Sequence, residues 1–254
     1  MLNRHGAGLV LCAWALATPA LAQPAGNLVE LNIHTPKPGQ EAKYEAGRKK
    51  HMAWHKAQKD TWTWFTWEVV SGEEGGTYYT GSFGHAWKDF DGHEQFAKDD
   101  DADYAKNIGP VLARSFTAYY TRRADLSLIP PSSDPPSAFS VLTYYRLKPE
   151  GLNDFVETVK KVNEAIKKTS YPQAGPSAWF QLVNGGEGPL FINAAGRASW
   201  AAFAPNDKTL DQLMEEAFGK EQGAAILAAG RKAILSIRTE TVKYRADLSY
   251  VPPK

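Results

Sequence analysis

The sequence has little cysteine, little excess charge of either sign and no catalytic signature that assigns a reaction. Cys12 is the one cysteine among 254 residues, and 29 Lys and Arg are balanced by 28 Asp and Glu. Nucleic acids and anionic membranes attract basic proteins, so neither is expected as a partner. No Gly-x-Ser-x-Gly nucleophile elbow occurs. With 43% hydrophobic and 12% aromatic residues, the composition is that of a folded globular protein.

The first 22 residues have the pattern of an export signal. Arg4 precedes an apolar run over about residues 9–21, and Ala20-Leu21-Ala22 supplies the small residues of a cleavage site. The run is too short for a membrane helix and is interrupted by Pro19. We therefore expect residues 1–22 to be a signal peptide. The mature chain would be periplasmic or secreted, without cysteine, disulfide or membrane attachment.

An internal repeat divides the rest of the chain into two similar halves. Arg123-Ala124-Asp125-Leu126-Ser127 recurs as Arg245-Ala246-Asp247-Leu248-Ser249, in each case shortly before a Pro-Pro pair. Residues 23–129 and 138–254 are the predicted repeats, and residues 130–137 form a predicted proline-rich linker. The hydrophobic periodicity predicts the element order βαββαβ in each half.

A βαββαβ unit predicts an α+β, ferredoxin-like fold, in which both helices cover one face of a four-stranded antiparallel sheet. A tandem copy can cover the other face. We therefore expect two antiparallel sheets that pack into one α/β barrel, and a monomer. Phe65, Trp67 and Val69 are expected to face the helices. The opposite alternation is expected to line the space between the sheets, and comprises Trp62, Trp64, Thr66 and Glu68 with Glu30, Asn32 and His34.

The first helix of the first half is polar where its counterpart in the second half is apolar. In the second half a stripe at helical spacing comprises Phe155, Val159, Val162 and Ile166. The aligned positions of the first half are Tyr44, Arg48, His51 and His55. Burying such groups costs stability unless they are paired or bind a ligand. This contrast predicts a small-molecule pocket in the first half. The acidic run 99–103 lacks a calcium-loop pattern and is expected to be a solvated helix start.

The duplicated βαββαβ order resembles the dimeric α/β-barrel superfamily over nearly the whole mature chain. That superfamily includes the antibiotic-biosynthesis monooxygenases, the NIPSNAP-like domains and the chlorite dismutases. Resemblance to the cofactor-independent monooxygenases implies an enzyme that needs no cofactor and stabilises an enolate or phenolate of an apolar aromatic substrate. In this interpretation Arg48 stabilises the anion, His51 is the base and Tyr44 donates a hydrogen bond. The expected ligand contacts are His55, Phe65, Trp67 and Tyr79.

Two alternatives stay open: a protein that binds a metal ion or haem, and a non-catalytic interaction module. His51 and His55 lie four residues apart on one helix face, so both imidazoles can reach one divalent metal ion. The resemblance to haem-binding branches implies instead that one of them is an axial haem ligand. Chlorite dismutases, however, carry haem in the second repeat, where this chain has no histidine. The other alternative is a non-catalytic interaction module in which Arg48, His51 and His55 are exposed.

Overall fold

The computed structural model describes residues 26–128, 135–172 and 175–253. The predicted signal peptide and residues 130–134 of the predicted linker lie outside these ranges. Within them the chain forms eight strands and five α-helices, which confirms the predicted α+β class. In the part of the chain described, no helix combines the length and the apolar character needed to cross a membrane.

The first half has the predicted order of elements. They are β1 (Leu28–Pro36), α1 (Glu41–Ala57), β2 (Phe65–Ser71), β3 (Tyr78–His85), α2 (Trp87–Asn107) and β4 (Leu112–Arg122). Helix α2 begins where the Asp89 side chain accepts a hydrogen bond from the backbone N–H of Ala86. It ends before Gly109-Pro110, a pair that cannot continue a helix.

The second half repeats this order with a divided second helix. Its elements are β5 (Phe139–Leu147), α3 (Leu152–Lys168), β6 (Ser177–Asn184), β7 (Leu190–Arg197), α4 (Leu210–Phe218), α5 (Lys220–Ala233) and β8 (Ile234–Tyr244). Gly219 separates α4 from α5 at a φ of 83°, a backbone conformation that glycine adopts without strain.

All eight strands belong to one closed antiparallel barrel, in the order β1-β3-β2-β8-β5-β7-β6-β4. Each half contributes four neighbouring strands in the same relative order, β4-β1-β3-β2 and β8-β5-β7-β6. The halves meet where β2 pairs with β8 and where β4 pairs with β6. The structure therefore differs from two separate stacked sheets, because backbone hydrogen bonds cross both seams between the halves.

The barrel interior is mainly apolar, with Glu240 buried inside it, and the predicted facing of β2 is wrong. The interior cluster contains residues from both halves, including Val29, Ile33, Val69, Tyr79, Tyr120, Tyr144, Ile192 and Val242. Trp67 packs against this cluster, and Phe65 lies on the same face of β2. The opposite face, with Thr66, is turned to the helices. Both alternations around β2 carry aromatic residues, so polarity alone did not distinguish the inner face from the outer one.

The repeated Arg-Ala-Asp-Leu-Ser segments bind each half to the other. Arg123 N–H donates to the carbonyl of Trp179 in the second half, and Arg245 N–H donates to the carbonyl of Thr66 in the first. The hydroxyls of the two serines accept from the backbone N–H groups of the same two residues. Leu126 is fully buried in the helix-facing core of the second half, and Leu248 in that of the first. Each half is thus completed by the end of the other.

Helices α1 and α2 approach each other closely at one glycine. A Cβ atom at Gly47 would overlap the carbonyl group of Asn107, so only glycine permits this spacing. The approach places the buried face of α1 next to the acidic residues of α2. It thereby positions the side chains of the candidate site.

Candidate functional site

Four polar side chains of α1 are buried between the helix and the outer face of the first sheet. Tyr44, Arg48, His51 and His55 are each at most 3% exposed. The counterparts of the first two, Phe155 and Val159, are buried apolar residues of α3. Helix α3 thus packs on its sheet through apolar side chains, so packing alone does not explain the polar groups of α1. The burial also contradicts the interaction-module interpretation, which needs Arg48, His51 and His55 at the surface.

His51, His55 and Asp100 bring three possible metal ligands together. The two Nε2 atoms are 3.3 Å apart. Asp100 Oδ1 lies 3.2 Å from Nε2 of His51 and 3.3 Å from Nε2 of His55. This oxygen is buried and has no hydrogen-bond partner among the described residues. The three atoms thus form a nearly equilateral triangle around a point to which a cation can bind.

A second carboxylate orients each imidazole from its far side. His55 Nδ1 lies 2.8 Å from Asp60 Oδ2, and His51 Nδ1 lies 2.8 Å from Asp103 Oδ2. Because a carboxylate accepts, each neutral ring carries its proton on Nδ1 and directs the Nε2 lone pair towards Asp100. Histidine ligands of metals are commonly held in this way. The second carboxylates therefore fix the rings in the orientation that a metal requires.

Asp60 is the most highly connected of these acids. Its carboxylate accepts hydrogen bonds from Trp64 Nε1 at 2.9 Å and from the backbone N–H of Trp62 at 2.9 Å, and His93 Nε2 lies 3.4 Å away. Burial favours its protonated form, but the hydrogen bonds from His55, His93 and the two tryptophans bring its pKa below the usual range. Asp60 is therefore an anion that joins the end of α1 to the aromatic residues preceding β2.

His51 and His34 are neutral because of their surroundings. Burial and the positive charge of Arg48 lower the pKa of His51 to about 4 and that of His34 to about 3. Burial also disfavours the charged form of His55, but Asp100 and Asp60 more than offset this and raise its pKa. His34 Nδ1 lies 3.0 Å from the hydroxyl of Tyr44. His51 is thus an uncharged nitrogen donor at neutral pH.

A cavity of about 350 Å³ opens beside these groups, between the two helices and the sheet. Its volume lies at the lower end of the range for small-molecule sites. Arg48, His51, His55 and Asp100 contribute to its wall. The other lining side chains include the aromatic residues Trp62, Trp64, Phe90, Tyr104 and Tyr119 and the polar residues Glu30, Asn32, His34, Thr80 and Thr117.

The predicted site residues fall into two groups. Arg48, His51 and His55 line the cavity, and Tyr44 is buried beside it in contact with His34. Phe65, Trp67 and Tyr79 lie on the other side of the sheet. Tyr79, for example, donates its hydroxyl to Glu240 Oε2 inside the barrel at 2.8 Å. These three predicted ligand contacts therefore do not line this cavity.

The acidic members of the site were not predicted from the sequence. Residues 99–103, expected to be a solvated helix start, lie well inside α2. Asp100 and Asp103 are three residues apart and so share the helix face that meets α1. That spacing was a usable signal, but the neighbouring exposed aspartates concealed it. Asp60 follows α1 closely, in a loop that gave no indication of burial.

Comparison with known proteins identifies the fold. No family model and no curated protein matches the sequence. A proposed monooxygenase from Lactobacillus acidophilus has a similar structure, with a TM-score of 0.56 and 10% identity over 89% of this chain and 97% of that one. An anthrone oxidase-like protein gives a TM-score of 0.53 and 15% identity, covering 88% and 93%. A mutant chlorite dismutase from Candidatus Nitrospira defluvii gives 0.50 and 6%, covering 89% and 93%. At such identities the likeness shows a shared α+β fold.

Proposed function

We propose that this protein is an oxygenase-type enzyme that binds a small aromatic molecule and one divalent transition metal. The metal ligands are His51, His55 and Asp100. The observation that carries the proposal is the convergence of two imidazole nitrogens and an unpartnered buried carboxylate oxygen within 3.2–3.3 Å of one another. In this proposal His51 is a ligand rather than the base suggested by its sequence context. The proposal also departs from the expectation that no cofactor is needed.

The distances and the donor set both suit a metal. Ligand atoms of a tetrahedral site with bonds of ~2.0–2.1 Å are ~3.3 Å apart, which matches the observed triangle. Two histidines and one carboxylate bind Zn²⁺ in zinc enzymes and Fe²⁺ in non-haem oxygenases. The spacing suits Zn²⁺ at least as well, and Fe²⁺ is proposed because an oxygenase needs a redox-active ion. When bound, such an ion supplies Lewis acidity and redox chemistry towards dioxygen.

The chain's own residues hold and orient the reactants. Asp60 and Asp103 keep the imidazoles aligned. The aromatic residues of the cavity wall favour a flat ring. Glu30 faces the cavity from β1, where Asn32 Nδ2 donates to its Oε1 at 3.0 Å. Burial raises the pKa of Glu30, which suits it to exchange a proton with a bound substrate.

Metal titration tests the proposal directly. Chelator-treated protein is titrated with Co²⁺ and with Fe²⁺ under argon, by calorimetry and by the visible spectrum of cobalt. We expect one ion per chain, and at least 100-fold weaker binding in His51→Ala and Asp100→Asn. His85→Ala is the matched control, because His85 is buried and hydrogen-bonded to Ser82 but does not line the cavity. Absence of binding, or equal binding in all variants, would refute the metal site.

Haem is the second candidate cofactor. The shared fold with a chlorite dismutase and the two histidines on the cavity wall favour it. The present ring geometry suits it less well, because the two Nε2 atoms face each other and Asp100. To hold a haem iron, His51 or His55 would have to turn its ring away from this contact. Reconstitution with haemin distinguishes the candidates, since a Soret band that disappears in the His51→Ala/His55→Ala double variant would favour haem.

We further propose that the chain is a tandem duplication that is exported and acts as a monomer. The common strand order of the halves and the repeated segment support the duplication. Closure of the barrel within one chain removes the need for a second copy. Intact mass and light scattering of protein recovered from the periplasm test these points. We expect removal of residues 1–22 and the mass of a single chain.

A further inference from the structure

Arg48 is a buried cation without an anionic partner. It is 3% exposed, and among the described residues it has two polar partners, both uncharged. Its Nε donates to the carbonyl of Leu248 at 3.2 Å, and its Nη2 lies 3.4 Å from Thr66 Oγ1. An unpaired buried charge costs several kcal/mol. Since Val159 occupies the aligned position of α3, packing does not explain why the charge is there.

None of the described side chains around Arg48 forms an ion pair with it. His34 stays neutral above a pKa of about 3, and burial raises the pKa of the Tyr44 hydroxyl far above neutrality. Asp100, whose negative charge acts on Arg48, directs its buried oxygen at the two imidazoles. The cavity is the open side from which a counter-ion can reach Arg48.

The guanidinium is held in place and faces that cavity. Thr66 Oγ1, its partner, is itself fixed by the carbonyl of Leu248 at 2.9 Å and by Thr80 Oγ1 at 3.2 Å. Two of the five N–H donors of an arginine are thus used, and three are left for a ligand. Of the residues that line the cavity, Arg48 is the one lysine or arginine. Glu30 and Asp101 on the same wall repel an anion, so Arg48 determines where its charged group binds.

We infer that the substrate is a small aromatic carboxylate, bound through its carboxylate by Arg48; this inference rests on the proposed function. A planar guanidinium matches a carboxylate through two parallel hydrogen bonds. A carboxylate is ionised at neutral pH, whereas a simple phenol with a pKa of ~10 is not. The aromatic residues of the wall accommodate the ring, and a cavity of about 350 Å³ limits its size. The ring then lies in the same cavity as His51, His55 and Asp100.

Benzoate and benzamide form a matched pair of probes, because they share a shape and differ in charge. Calorimetry measures their binding to the full chain, first in chelator and then with one equivalent of Co²⁺. We expect benzoate to bind the chelator-treated protein at least 10-fold more tightly than benzamide. Arg48→Met removes the charge at similar volume and should abolish that preference. Arg146→Met, at an exposed arginine paired with Glu187, should retain it.

The outcomes separate this inference from the proposed function. Equal binding of the two probes to the wild-type protein overturns the inference, and that result does not depend on whether any variant folds. A benzoate preference that survives in Arg48→Met overturns it as well. Cobalt binding without a benzoate preference supports the metal site and refutes only the inference that the substrate is a carboxylate. An Arg48-dependent preference in a protein that binds no metal supports the carboxylate site and refutes the metal proposal.

Discussion

At the scale of single residues, the site depends on how negative charge is distributed around the imidazoles of His51 and His55. Four carboxylates approach the imidazoles and the indoles: Asp60, Asp100, Asp103 and, across the cavity, Glu30. Asp100 contributes an oxygen with no hydrogen bond, whereas Asp60 and Asp103 are fully engaged in orienting other groups. Asp100 is therefore the proposed metal ligand, whereas Asp60 and Asp103 orient the imidazoles. Substitutions of these acids should differ in their effects on metal binding and on stability.

Asp60→Asn should weaken both the fold and the metal site. The variant loses charge-assisted hydrogen bonds to His55 and Trp64, each worth ~1.5–3 kcal/mol. We expect a loss of about 2–4 kcal/mol in the free energy of unfolding, measured with urea in the presence of chelator. Metal affinity should fall 10–100-fold, as is typical when a partner of a histidine ligand is removed. An unchanged unfolding midpoint would contradict the role given to Asp60.

His34 should make the metal-free protein sensitive to acid. Its pKa in the folded chain is about 3, because burial and Arg48 disfavour its charged form, whereas an unfolded histidine titrates near 6.5. Between these pH values the unfolded state binds the extra proton, so stability falls as the pH decreases. The contribution is about 1 kcal/mol per pH unit. The free energy of unfolding in urea is measured for the wild-type and His34→Gln proteins at pH 6.0, 5.5 and 5.0. Its decrease with pH should be smaller in the variant, and equal decreases would contradict the role given to His34.

At the scale of elements, the site depends on the distance between α1 and α2. Helix α2 carries no fully buried residue, so it contacts the rest of the protein through partly buried side chains. At Gly47 the two helices approach so closely that an added Cβ atom would overlap the carbonyl group of Asn107. Because Asp100 and Asp103 reach α1 from α2, any separation of these helices removes both acids from the histidines together.

Gly47→Ala should separate the helices and disrupt the metal site. The added Cβ meets the backbone of Asn107, which cannot move as a flexible side chain does. We expect a loss of about 1–3 kcal/mol in unfolding free energy, as for other overpacked sites, and weaker cobalt binding. Gly92→Ala in α2 is the control, because its added Cβ has no atom within 4 Å apart from its chain neighbours and the adjacent helix backbone. It should be neutral or slightly stabilising, and similar effects of both substitutions would contradict the explanation.

Elements also show where sequence reasoning succeeds and where it stops. The α+β class, the order of strands and helices and the polar face of α1 follow from periodicity and from comparison of the two halves. The facing of β2 does not, because Trp64 and Trp67 lie on opposite alternations and either face could be the inner one. The pairing of Asp100 with His51 does not follow either, since it depends on a helix spacing that Gly47 permits only in three dimensions.

At the scale of the whole molecule, the two halves are joined into one barrel, and we expect them to unfold together. Strand pairs cross both seams of the barrel, and the interior cluster mixes residues of both halves. Arg245 adds an ionic link, because it binds Glu45 of α1 and Glu68 of β2 at 2.6–2.8 Å. A destabilising substitution in one half should therefore lower the free energy of unfolding of the whole chain.

Leu126→Ala and Leu248→Ala test this interdependence as a pair. Both leucines are fully buried at equivalent positions, and each substitution should cost about 2–5 kcal/mol. Tryptophan fluorescence and far-UV circular dichroism should report one coincident unfolding transition for both variants. Only Leu248→Ala should also weaken benzoate and cobalt binding, since the backbone of Leu248 anchors Arg48. Separate transitions, or equal effects on binding, would contradict the arrangement.

The reciprocal exchange of the Arg-Ala-Asp-Leu-Ser segments has a consequence for how such a protein can evolve. A half expressed alone would lack the leucine and serine that complete its helix layer, and could obtain them only from another copy of itself in a symmetric pair. When one chain carries both halves, the two sites need not be identical. One half could then fill its helix layer with phenylalanine and valine, while the other placed histidines, an arginine and acids there.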